Sequence, residues 1–75
     1  MLDRKVYEDS QLIIHGGAIA VDSNGNDKRE LEILLEKILK GYKWCLGNGG
    51  VLYVEQKNSA EVINLLKESG CLREN

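Results

Sequence analysis

Seventy-five residues, 43% of them hydrophobic and 29% charged, make one globular domain rather than several, and not a disordered segment. Ten basic residues are scattered among twelve acidic ones for a net charge of −2, which excludes both the basic cluster of a duplex-binding domain and the acid density of a DNA mimic. Two cysteines, Cys45 and Cys71, are too few for a secreted disulfide scaffold, and no apolar run reaches transmembrane length, so a cytoplasmic location without membrane contact is expected.

A chain this short buries only about 60% of the surface its unfolded form exposes. Small scaffolds of this kind lean on self-association, metal, disulfides or very regular packing.

From the N-terminus, residues 5–8 read as a short edge strand. Residues 11–15 and 18–22 read as strands flanking Gly16-Gly17, a two-residue hairpin turn. The loop over 22–26, DSNGN, is rich in turn formers. Its Asp22, Asn24, Asn26 and Asp27 lack the spaced glycine and glutamate that a calcium loop requires.

A helix is predicted over 27–40. Asp27 and Glu30 form a capping box, Gly41 stops the helix, and Leu31, Leu34, Leu35, Ile38 and Tyr42 share one face. Leu39 borders that face and Ile33 lies opposite. Strands over 43–47 and 50–55 then flank Asn48-Gly49, a strong short hairpin signal. A second helix is predicted over 59–69, with Asn58 and Glu61 as its capping pair and Gly70 as its stop. Val62, Leu65 and Leu66 make its apolar stripe, and Cys71 packs back near Leu66.

The two halves, residues 10–41 and 42–75, resemble one another. GGAIAVD (16–22) matches GGVLYVE (49–55), and each is followed by a loop, a capped leucine-rich helix and a glycine. Whether by duplication or by parallel solutions, the expected order is ββαββα. That implies an α+β fold of two layers, a four-stranded, mainly antiparallel sheet with two helices on one face. The segment GGVLYVEQKNSAEVINLLKESG (49–70) is similar to strand–helix pieces of the C-terminal domains of aminoimidazole-ribonucleotide-synthetase-like enzymes. It carries no catalytic motif, so the resemblance implies a strand–helix unit and no activity.

Side-chain alternation assigns faces. Leu12, Ile14, Ile19 and Val21 are expected toward the helices, together with Leu52, Val54 and Cys45. Ile13, His15, Ala18, Ala20, Trp44, Tyr53, Leu46 and Val51 then point away, an apolar face that something should cover. A one-residue slip in the second hairpin would instead send Trp44 and Tyr53 inward and Leu52 and Val54 outward.

No catalytic constellation stands out. His15 is the only histidine and has no identifiable orienting partner. Cys45 and Cys71 lack metal-type spacing, although both are expected on one layer. Gly47-Asn48-Gly49-Gly50 lacks the lysine and following helix of a phosphate loop. Neither cofactor nor metal is expected, and the chain reads as a non-enzyme.

The leading expectation is a small interaction or regulatory protein, such as an inhibitor or assembly subunit. It would bind a protein partner or itself, as a homodimer, through Trp44, Tyr53, Ile13, His15, Leu46 and Val51. The alternative is nucleotide or single-stranded nucleic-acid binding, with Trp44 and Tyr53 stacking on bases. The negative net charge disfavours it.

Overall fold

The computed structural model describes residues 4–23 and 25–73. In chain order they form α1 (Arg4–His15), β1 (Gly17–Ala20), α2 (Lys28–Ile38), β2 (Trp44–Leu46), β3 (Val51–Val54) and α3 (Ser59–Ser69), with a 3-10 turn at Gln56–Asn58 leading into α3. The strands form one antiparallel sheet in the order β1-β3-β2. The α+β class stands, but the four-stranded ββαββα arrangement with two helices does not. The described residues hold three helices and a three-stranded sheet.

The correction begins at the N-terminus. Residues expected as two strands, 5–8 and 11–15, belong to the single helix α1. Neither glycine nor proline interrupts residues 4–15. Arg4 pairs with Glu8 at 3.3 Å and Lys5 with Asp9 at 3.8 Å, both one helical turn apart. The run Leu12-Ile13-Ile14 fits strand and helix equally, and periodicity cannot choose between them over so few residues.

Gly16 therefore is no hairpin turn. Its N–H returns to the Leu12 carbonyl at 2.8 Å and closes the helix. A side chain there would collide with the carbonyl oxygens of Leu12 and Val54. Only glycine lets the chain pass directly from α1 into β1.

The other two helices form close to their expected bounds. Asp27 caps α2, its Oδ1 accepting from the Glu30 N–H at 2.8 Å. α3 ends at Gly70, which is left-handed at φ 78°, and the Cys71 N–H bonds the Leu66 carbonyl at 2.9 Å. The expected Asn58–Glu61 capping pair is absent, because the 3-10 turn precedes α3 and Asn58 makes no side-chain cap.

β1 pairs with β3, not with residues 11–15. Ile19 faces Leu52 in register. These are equivalent positions of the two similar heptapeptides, each of which leads on to a helix, β1 to α2 and β3 to α3. The likeness extends no further, since α1 precedes one unit and β2 the other. Beyond β1, Val21 bridges Leu72, and the Arg73 N–H reaches the Ala20 carbonyl at 3.1 Å. The C-terminal segment thus lies along the outer edge of β1.

The main core lies between one sheet face and α2 with α3. Ile19, Val21, Leu52 and Val54 meet Leu31, Leu35, Leu39, Val62, Leu66 and Cys71 there. The opposite face carries α1. This helix contacts all three strands, and the Cys45 thiol faces the Asp9 carbonyl at 4.0 Å. Leu12 is the one α1 side chain that is buried. The architecture is α1, sheet, then α2 and α3. No helix among the described residues is long and apolar enough to cross a membrane.

Leu35 is wholly buried, whereas Ile33, two residues earlier, is exposed. Leu35→Ala is expected to cost about 2–5 kcal/mol, a large share of a small domain's stability. Ile33→Ala should leave the urea midpoint nearly unchanged. Comparable losses would mean that α2 is buried on both sides.

Candidate functional site

The six residues expected to share one apolar face occupy three places. β2 pairs Trp44 with Val54, Cys45 with Tyr53 and Leu46 with Leu52. Trp44 and Leu46 therefore point to the α2–α3 side, where both pack partly buried against the core. Val51 and Tyr53 are half-buried on the opposite face, which α1 partly covers. Ile13 and His15 are exposed on α1.

Loop length explains the difference. The Gly47 N–H bonds the Val51 carbonyl at 2.7 Å, so the loop contains Asn48, Gly49 and Gly50. Gly49 and Gly50 both have positive φ, 80° and 76°. A two-residue turn would have paired Trp44 with Tyr53. One extra loop residue shifts β2 by one position and reverses its faces. β3 keeps Leu52 and Val54 inward, so the whole-hairpin slip does not occur either. Cys45 and Cys71 consequently lie on opposite sides of the sheet, both as free thiols. Trp44 and Tyr53 form no shared stacking platform.

The most unusual surface belongs to α1. Six large hydrophobic residues are exposed among those described, and four are on this helix: Val6 at 50%, Tyr7 at 56%, Ile13 at 53% and Ile14 at 67%. At about 100° per residue they form one arc with Ser10 at its middle. The helix lies on the sheet through Leu12 and the backbone near Asp9, and its broad apolar side faces outward. Ala18 and Ala20 of β1 are exposed as well. A heptad-spaced pair of pairs, Val6–Ile13 and Tyr7–Ile14, was present in the sequence. Together with two oppositely charged i,i+4 pairs it signals an amphipathic helix, and treating 5–8 and 11–15 separately hid it.

A cleft of about 640 Å³ opens between α1 and the end of β3, lined by Tyr7, His15, Lys43 and Gln56 among others. Two of the cations at its walls are paired with acids, Arg4 with Glu8 at 3.3 Å and Lys57 with Glu55 at 3.5 Å. No polar or charged side chain among the described residues is buried. The cleft thus holds its charged side chains in contact with water. No group of three or more His, Cys, Asp or Glu side chains among the described residues is placed to hold a metal ion.

Two groups are electrostatically displaced. Partial burial raises the Cys45 thiol, and the Asp9 carboxylate adds to the effect while Lys5 opposes it. A raised thiol is a poor nucleophile at neutral pH. The Tyr42 hydroxyl donates to Glu61 Oε2 at 2.6 Å, linking the connection between α2 and β2 to the first turn of α3. That bond, then burial and the carboxylate's charge, hold the phenol above its ordinary 10.0. Its stabilising effect is complete below pH 10.0 and fades as pH rises through the higher folded-state value.

No protein-family model, curated protein or solved structure matches this chain.

Alkylation of Cys45 should be slow at neutral pH and accelerate only at alkaline pH, with Asp9→Asn raising the rate at fixed pH. Mass-resolved labelling measures both, and an unchanged rate would remove Asp9 from the account. In absorbance titration, Tyr42→Phe should delete a component above pH 10.0, and Glu61→Gln should move that component down.

Proposed function

We propose that this protein is a non-catalytic interaction module whose contact surface is the outward apolar side of α1. The observation that supports this most directly is the concentration of exposed large hydrophobics on that helix, four of six among the described residues. An amphipathic helix in a monomer ordinarily turns its apolar arc to its own core. Here the arc faces solvent, and the polar flank with Leu12 faces the sheet. Contiguous exposed apolar surface of this kind marks a binding site on a soluble domain.

The partner surface is apolar, either a helix of similar character or a groove that accepts one. The expected regulatory or assembly role is consistent with such a module, and the sheet-face residues Tyr53 and Val51 would contribute at its margin. Trp44 and Leu46 would support the fold instead, because they pack against the core. Base stacking finds less support, since Trp44 and Tyr53 are on different faces.

A photoreactive amino acid at Tyr7, introduced in the producing cell, should yield discrete cross-linked species on irradiation. The same group at Lys37, exposed on α2, should not. Absence of adducts at Tyr7, or equal yields at both positions, would remove the support for α1 as a contact surface.

A further inference from the structure

We infer that the partner of α1 is a second copy of this chain, its α1 packed antiparallel against the first about a twofold axis at Ser10. This rests on the interaction reading above and adds the identity of the partner.

The carrying observation is the arrangement of the apolar residues. In a twofold contact, residue i of one copy meets residue j of the other and the reverse also holds. For two antiparallel helices crossing at Ser10, position 6 meets 14 and position 7 meets 13. The exposed apolar set of α1 is Val6, Tyr7, Ile13 and Ile14. That set maps onto itself under the operation, with Val6 against Ile14 and Tyr7 against Ile13. Ser10, small and half-buried between them, sits on the axis, where the helices must come closest. A groove on an unrelated protein would require no such symmetry.

Charge permits the approach. Within α1 the two cations, Arg4 and Lys5, are paired with the two acids, Glu8 and Asp9. Although the chain as a whole carries −2, these four residues lie on the flank turned away from the arc and bring no charge to the contact itself. The antiparallel order also sets the two helix dipoles in opposition, each N-terminus beside the other's C-terminus.

The area sets the strength. An aromatic side chain buries about 150–250 Å² and an aliphatic one less, so one half-exposed tyrosine and three half-exposed aliphatics from each copy supply at most on the order of 800 Å² in total. That is below the roughly 1,200–2,000 Å² of a stable specific interface and in the range of weak, transient contacts. The dimer should be weak and concentration-dependent, with Kd between about 10 µM and 1 mM.

The test uses the full chain in a Cys45→Ser background, Cys71 being buried. Sedimentation equilibrium should show the weight-average mass rising with concentration. Ile14→Glu should abolish that rise while circular dichroism and the thermal midpoint stay close to the parent's. Facing Cα atoms of helices 8–10 Å apart lie about 3.5–5.5 Å from one another, which overlaps disulfide range. Ser10→Cys should therefore oxidise to a covalent dimer. A mixture of Val6→Cys and Ile14→Cys chains should form the mixed disulfide in preference to either homodimer. Preferred Val6→Cys homodimers would indicate parallel helices and overturn the arrangement. A parent chain that stays monomeric up to about 1 mM overturns self-pairing outright. If Tyr7 then cross-links to a different protein, the interaction reading survives alone. With no cross-link either, both fail.

Discussion

β3 is the constraint on which the rest depends. It lies between β1 and β2 and places Leu52 and Val54 in the core without exposure. Alternation then sends Val51 and Tyr53 to the second face. The neighbouring strands must enter in registers that extend the same buried surface, β1 through Ile19 and β2 through Trp44 and Leu46. The three-residue loop between β2 and β3 makes the second register attainable, and the positive φ of Gly49 and Gly50 makes the loop attainable. A single loop residue thus decides whether the tryptophan supports the core or faces away from it.

Because β3 commits one face to α2 and α3, the other needs separate cover. α1 supplies it incompletely. Leu12 is buried and the Cys45 thiol meets backbone from α1, yet Ala18 and Ala20 remain exposed. The apolar arc of α1 is spent elsewhere. A domain of this size has little surplus stability, and four large hydrophobics left in water are surface that the proposed association would bury. The orientation of α1 links the economy of the fold to its proposed work.

The distribution of polar groups points the same way. No polar or charged side chain is buried among the described residues, and the cleft beside α1 carries charged pairs open to water. The electrostatically displaced groups, Cys45 and Tyr42, have local causes that make the thiol less reactive or tie the connection after α2 to α3. The features that distinguish this molecule are apolar and on its outside.

The sequence by itself determined the elements whose signals are local. Asp27 followed by Glu30, the glycine at position 70 and the leucine periodicities specify α2 and α3 because capping and 3.6-residue spacing act within a few residues. The apolar run 51–54 specified β3 as a strand but not its inward pair, since both of its faces are apolar and a one-residue slip satisfies the pattern equally. The N-terminal run was ambiguous, since Leu12-Ile13-Ile14 satisfies both periods. The heptad spacing of Val6–Ile13 and Tyr7–Ile14 and the two i,i+4 charge pairs favour the helix once 4–15 is read as one segment, whereas its seat on the sheet and the close approach of Gly16 to the Val54 carbonyl are encoded by no local pattern. The strand count, the pairing of Ile19 with Leu52 and the face of Trp44 were likewise tertiary decisions. Each depends on how residues far apart in the chain share one core, and a one-residue change of register reverses every side chain at no cost visible in local propensity.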